Sequence, residues 1–338
     1  MSEAAAKGPA PDLAPDLAVV IPVWNDTDGL DRLLGQIAGI EAVSQVVVVD
    51  DASDIPADPA RRGWSAARLG ADLVFARNAQ QRGAGYARNR GLQKVTAGRV
   101  IFFDSDDRFT PEFARLMEEL PRDGFDFGLF AHADSRVAQA GGWGPLAGDE
   151  RIWERVGIIG ALAELPAGKI PELIQLSAYP WNKVYRTGFL RETGIRCTEI
   201  MVHNDIELHW LSFLRARRIL VSDRVAALHV VQRNGARLTN RSGAERLEMF
   251  RALDPVAQEI AGTGPAFTLP FAKFVMALFH WAMGQLAPEH HDIFRARIRG
   301  FLARHLDAAA FARIARAEPE LAARINDHLA WQPRAVPA

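Results

Sequence analysis

Asp104, Asp106 and Asp107 follow directly on the apolar run RVIFF (99 to 103), with only Ser105 between them. Carboxylates this close repel one another, which raises their pKa values and disfavours the charged cluster. A divalent cation reverses that cost. Oxygen-only ligands suit Mg²⁺ or Mn²⁺, which take one or two carboxylates and complete their shell with phosphate oxygens and water. The chemistry expected of the cluster is therefore the holding of a diphosphate through a cation. A solvated loop, with one Asp capping a helix that starts near TPEF, is the alternative for such a cluster taken alone. A second acidic pair, Asp50 and Asp51 in VVVVDDAS, ends another apolar run in the same way.

Positioning these groups requires strands that stop where the acids begin. LAVVIPV (17 to 23), QVVVVD (45 to 50), DLVFA (72 to 76) and RVIFF (99 to 103) are short β-branched or aromatic runs near turn signals. Between them, TDGLDRLLGQIAGI and QRGAGYARNRGLQKVTA have apolar residues at helical spacing, the first entered through Asn25, Asp26 and Thr27 as cap candidates. Strands alternating with helices imply parallel pairing and right-handed crossovers, hence a doubly wound α/β sheet. Ligands of such sheets sit beyond the carboxyl ends of the strands. Both acidic groups thus fall on one rim.

Beyond residue 125 the pattern loosens. FDFGLFAH reads as a strand, QAGGWGPLAGDE as a Gly-rich loop, IPELIQL and DIELHWLSFLRARRI as helices, RVAALHVV as a late strand, and the chain after 240 as helix. The expected organisation is a disordered tail over 1–16 without a signal-peptide apolar core, an α/β domain over 17–235 and a helical region over 236–338.

The 338 residues carry 40 Lys and Arg against 41 Asp and Glu, so no global basic field argues for nucleic acid. A single cysteine, Cys197, excludes an intrachain disulfide and fits a reducing, cytoplasmic compartment. It reads as a small buried residue. The apolar stretch 266–287 contains Pro270, Lys273 and His280, which favours a core helix or a homodimer interface over peripheral contact with a membrane.

No GxxxxGK[ST] loop is present, and the glycines of QRGAGYARN do not follow the first strand, which disfavours hydride transfer. In order and spacing, VVIPVWN, VVVVDDAS, the 77–107 segment ending in FFDSDD, PWNKVYRTGFLRETGIR and HNDIEL resemble the family 2 glycosyltransferases of GT-A fold. The resemblance covers most of residues 17 to 235 and implies a mixed GT-A sheet with a C-terminal helical extension. It further implies that the loop Pro22, Trp24 and Asn25, the pair Asp50 and Asp51, and Asp104 bind a nucleotide-sugar. Asp51 is the candidate partner of a uracil N–H. Asp104 and Asp106 would ligate Mn²⁺ or Mg²⁺, Asp106 most directly, while Asp107 orients.

Arg88 and Asn89 would lie beside the nucleotide, Arg88 either offsetting diphosphate charge or pairing with the rim aspartates. Arg233 falls where the family carries a basic loop. Asp205 matches the family's catalytic base, with Asn204 where Glu is common. A base plus a cation at the leaving diphosphate implies single-step displacement with inversion. Trp181, Asn182 and Lys183 are candidate contacts to a glycan or glycolipid acceptor, against a core role for Trp181. His203 and His229 are candidate metal ligands against the commoner hydrogen-bonded structural role. The expected function is transfer from a UDP-sugar in bacterial surface polysaccharide synthesis. A nucleotidyltransferase and a catalytically silent sugar-nucleotide-binding protein are the competing readings.

Overall fold

The computed structural model describes residues 15–231 and 242–332. The expected tail, Arg233 and the boundary at 235 lie wholly or largely outside the described residues. The strands are β1 (Leu17–Val23), β2 (Val43–Asp50), β3 (Asp72–Arg77), β4 (Arg99–Phe102), β5 (Arg108–Phe109), β6 (Phe127–Asp134), β7 (Ala163–Glu164), β8 (Lys183–Arg186) and β9 (Ile219–His229). The helices within the α/β part are α1 (Thr27–Ile37), α2 (Ala66–Leu69), α3 (Ala84–Leu92), α4 (Pro111–Glu119), α5 (Ser135–Gln139), α6 (Ala147–Val156), α7 (Ile170–Leu173), α8 (Thr187–Thr193) and α9 (Ile206–Arg215). After them come α10 (Met249–Thr263), α11 (Thr268–Gln285), α12 (His291–His305), α13 (Ala308–Ala317) and α14 (Pro319–Ala330).

The strands form one mixed sheet in the order β3-β2-β1-β4-β8-β6-β9-β5, with β7 also paired to β9. β1 to β4 run parallel, as the alternation of strands and helices requires. β8 enters antiparallel between β4 and β6, and β5 and β7 pair antiparallel with β9. Each central strand is apolar on both faces because both faces are covered. Leu17, Val19, Ile21 and Val23 pack with Leu30, Leu33 and Leu34 of α1, whereas Ala18 and Val20 pack on the opposite side with Ala87 of α3. Gly91 lets α3 lie flat on that side, since a Cβ there would stand 2.3 Å from Val20 Cγ1.

The C-terminal helices share the second core instead of forming their own. Trp210 of α9 meets Phe271 of α11 at 5.1 Å between ring centroids, and Leu253, Phe271, Phe301 and Ile325 belong to the same cluster as the sheet face. Among the described residues one helical stretch, Pro265–Gln285, is long and apolar enough to cross a membrane. Within it α11 buries Phe271, Ala272, Val275, Met276, Phe279 and Ala282 as one stripe, and its exposed positions include Lys273, Ala277, His280, Gly284 and Gln285. That stripe is a core-helix pattern.

Candidate active site

In the sheet order, β2 lies on one side of β1 and β4 on the other. The connections reverse there, so a crevice opens beyond the carboxyl ends of β1 and β4. Pro22 lies at its edge: β1 pairs with β4 only as far as Val20, and Pro22 follows where no ladder hydrogen bond to β4 is needed. Among the described residues three non-glycine positions have positive φ, Asn25 (51°), Ala52 (62°) and His203 (63°). Asn25 and Ala52 end the first two strands, and His203 lies two residues before Asp205; such strain clusters at functional sites. Asn25 is exposed and ties the two loops together, its N–H donating to Ser53 Oγ (2.9 Å) and its Oδ1 accepting from the Asp54 N–H (2.8 Å). Trp24 beside it is half-buried.

Asp50 and Asp51 differ from the expectation of direct nucleotide ligands. Asp50 is completely buried, and its oxygens accept from the Ser53 and Ala57 N–H groups and from the Arg77 guanidinium. It builds the loop. Asp51, 2% exposed, accepts from Asn78 Nδ2 (2.7 Å) and from the N–H groups of Arg82 and Gly83. Its acceptors hold the 78–83 turn, so a base N–H meets a carboxylate already engaged.

The acidic cluster is assembled by side chains from distant elements. Asp104, Asp106 and Asp107 offer one oxygen each, all within 4.8 Å of one another. Asp104 Oδ1 accepts from Arg88 (2.5 Å), and the same guanidinium donates to Asn204 Oδ1 (2.6 Å). Arg88 is only 3% exposed; it joins the cluster to the Asp205 loop and does not face a diphosphate. Burial opposes the charge on Arg88, yet Asp104 beside it raises the guanidinium pKa. Ser105 Oγ donates to Asp26 Oδ2 (2.7 Å), and Asp26 Oδ1 caps α1 through the Gly29 N–H.

Asp107 is buried, and its Oδ1 accepts from the Val230 N–H (2.8 Å) and lies 3.0 Å from His229 Nδ1. Its Oδ2 is buried and accepts no hydrogen bond from the described residues. A buried orphan oxygen beside two further carboxylates is what a divalent cation satisfies, so the residues fit Mg²⁺ or Mn²⁺. Asp107 thereby joins Asp104 and Asp106 as a candidate ligand, beyond the orienting role expected of it. His229 borders the cluster as its hydrogen-bond partner, and the adjoining carboxylate raises its pKa against the effect of burial. His203 stands elsewhere: its Nε2 faces Arg246 at 3.4 Å and its ring meets Trp281. Burial and Arg246 push its pKa down to about 4, so it is neutral and outside the acidic cluster.

Asp205 sits at the N-cap of α9, and its side chain makes no cap hydrogen bond there. Its loop is gripped by α3. Asn89 pairs with the backbone of Cys197 in both directions, donating to its carbonyl (2.9 Å) and accepting from its N–H (3.0 Å). Gly85 allows the approach, since a Cβ there would lie 2.3 Å from the Thr198 carbonyl oxygen. The glycines of QRGAGYARN therefore serve close packing. Burial pushes the Asp205 carboxyl up to about 6, partly offset by Arg88 and Lys183. Such a group is ionised at neutral pH yet more basic than an ordinary Asp, the condition a general base needs. Burial drives the Cys197 thiol up to about 12, which makes it inert.

Trp181, Asn182 and Lys183 do not line an open acceptor site. Trp181 is 1% exposed, stacked on Tyr179 at 4.5 Å between centroids. Lys183 is fully buried, and its Nζ donates to the Tyr179 carbonyl (2.8 Å) and to Asn182 Oδ1 (2.6 Å). Desolvation lowers its pKa to about 7 while Asp205 opposes the shift. The three residues form the floor beneath the crevice, and no acceptor sugar can reach them.

Residues 18–146 match the family model described as Glycosyl transferase family 2. The chain is 38% identical over 93 residues to a pre-mycofactocin glycosyltransferase of Mycobacterium tuberculosis, a match spanning 27% of this chain and 18% of that relative's length. Among solved structures it resembles S. aureus TarS 1-349 in complex with UDP-GlcNAc, at a TM-score of 0.65 and 19% identity over 93% of this chain and 91% of the other. The mannosyltransferase PcManGT from Pyrobaculum calidifontis, in complex with GDP-Man and Mn²⁺, aligns at a TM-score of 0.54 and 16% identity over 96% of this chain and 88% of that one. The architecture is the GT-A fold with a C-terminal helical region.

Proposed function

We propose that this chain, a member of glycosyl transferase family 2 through residues 18–146, moves a sugar from a nucleoside-diphosphate donor to an acceptor hydroxyl in one inverting, metal-dependent step. The observation that carries the reading is Arg88, which ties Asp104 of the acidic cluster to Asn204, the neighbour of Asp205. One buried cation thus fixes the leaving-group side of the site relative to the base.

Asp104, Asp106 and Asp107 would hold the divalent cation, which supplies positive charge against the departing diphosphate. Asp205 takes the proton from the acceptor hydroxyl. The freed oxygen forms a bond to the anomeric carbon as the bond from that carbon to the diphosphate oxygen breaks, and the nucleoside diphosphate leaves with the bonding pair. Pro22, Trp24 and Asn25 border the nucleoside side of the crevice, shaped from below by Asp50 and Asp51. The likeness to a UDP-GlcNAc complex supports UDP as the first nucleotide to test, with GDP second. A glycan or glycolipid acceptor and a cytoplasmic site of synthesis, where sugar nucleotides are made, complete the reading.

Incubation with UDP- and GDP-sugars, Mn²⁺ and a panel of saccharide acceptors should release nucleoside diphosphate and no pyrophosphate. Release of pyrophosphate would indicate nucleotidyl transfer. Tight nucleotide binding without turnover on any acceptor would indicate a binding protein.

A further inference from the structure

The floor of the crevice excludes an acceptor from Trp181, so another surface must receive it. Trp281 of α11 is 46% exposed, one of the few large apolar side chains left in solvent among the described residues. It is nevertheless held firmly. The guanidinium of Arg246, itself 1% exposed, lies over the ring at 4.8 Å, and the imidazole of His203 meets it edge-on at 5.7 Å and 89°. Arg246 also reaches His203 Nε2 at 3.4 Å. Cation and edge contacts of this kind fix a ring in one orientation. His203 precedes Asp205 by two residues, at most about 7 Å of chain, and it adopts a left-handed φ of 63°.

The surroundings of the ring decide its ligand. Ala277 and Gly284, one turn before and after it on the same face, are exposed and small, and a Cβ at Gly284 would meet none of the described residues within 4 Å. His280 and Gln285 beside them are exposed and polar. A membrane surface or a protein partner favours a contiguous apolar patch. A lone rigid aromatic face with polar neighbours instead matches a pyranose ring, which presents apolar C–H groups on one face and hydroxyls around its rim.

We infer that Trp281, braced by Arg246 and His203, is a saccharide platform contributed by the C-terminal helices, on which the acceptor rests beside the Asp205 loop. The inference rests on the glycosyl-transfer reading and names the acceptor subsite within it. It is tested with the full chain by titrating methyl glycosides and the disaccharides cellobiose, chitobiose and mannobiose while following tryptophan fluorescence. At least one saccharide should change the emission of the wild type and leave that of Trp281→Phe unchanged. With a saccharide that turns over, Trp281→Ala should raise the acceptor KM by about tenfold, with kcat and acceptor-free donor hydrolysis unchanged, and Trp281→Phe should restore most of the affinity. A fluorescence response identical in Trp281→Phe, no response to any saccharide, or an unaltered acceptor KM in Trp281→Ala would overturn the platform. Donor hydrolysis without acceptor reports on the transferase reading separately, because it does not involve Trp281.

Discussion

Asp205→Asn is expected to lower turnover by about 10²- to 10⁴-fold, the usual contribution of a positioned base, while leaving nucleotide binding intact. The amide keeps the shape and loses the proton acceptor. Wild-type kcat/KM should rise with pH through an apparent pKa near 6, where the buried carboxyl ionises, and the residual activity of the variant should lack that limb. The same substitution has an opposite effect on the fold. A folded pKa of about 6 against an ordinary 3.8 means that the folded state holds the proton more tightly. The associated stability is present below pH 4 and is lost as pH rises to 6. At neutral pH the ionised Asp205 therefore disfavours folding by about 3 kcal/mol. Asp205→Asn should accordingly unfold at a higher urea concentration than the wild type at pH 7.5. A variant that is inactive and also less stable would point to a structural role for Asp205.

Asp106→Ala and Asp104→Ala should separate two roles within one cluster. Both should abolish metal-dependent binding of UDP or GDP in calorimetric titrations with Mn²⁺, compared with titrations in EDTA. Their stabilities should diverge. Asp106 is half-buried beside two further carboxylates, so removing it lowers the local repulsion and should cost less stability than removing Asp104. Asp104 is the carboxylate paired with Arg88, whose side chain is 4% exposed. Its loss leaves a buried guanidinium without its counter-ion, at a cost of about 3 kcal/mol. Changing Arg88 to Met in the Asp104→Ala background should recover part of that loss. Equal stability of the two single variants would contradict the assignment of Arg88 as the tie between cluster and base loop.

The first half of the sheet was readable because each of its strands is a continuous apolar run that ends in turn residues, as in LAVVIPV and RVIFF. β5, β7 and β8 were not readable. They have two to four residues each, too short for periodicity to register, and β8 gains its place only by insertion between β4 and β6. RVAALHVV (224–231) reads as the late strand, which begins earlier, at Ile219, because ILVS continues a helical-looking stretch without a turn signal. At the site, the acids were legible as a group, whereas their individual duties depended on partners remote in sequence. Asp50 and Asp51 ended up holding loops, and Arg88 found its acceptors 16 and 116 residues away. Lys183 misled most. A lysine next to a tryptophan in PWNKVY reads as surface chemistry, since an unburied charge is the rule, yet it is capped by Asn182 and a carbonyl inside the fold. The Trp- and Phe-containing stretch 271–281 reads in sequence as a core helix, a dimer interface or a contact to a lipid-linked acceptor, and nothing in it singles out Trp281.

The most direct test of the account is the stereochemistry of transfer, followed by proton NMR of the anomeric signal as an α-linked nucleotide-sugar donor is consumed in the presence of Mn²⁺ and an acceptor. Direct attack by a hydroxyl deprotonated at Asp205 predicts a β-linked product with release of nucleoside diphosphate. An α-linked product would contradict the single-step displacement and the role given to Asp205.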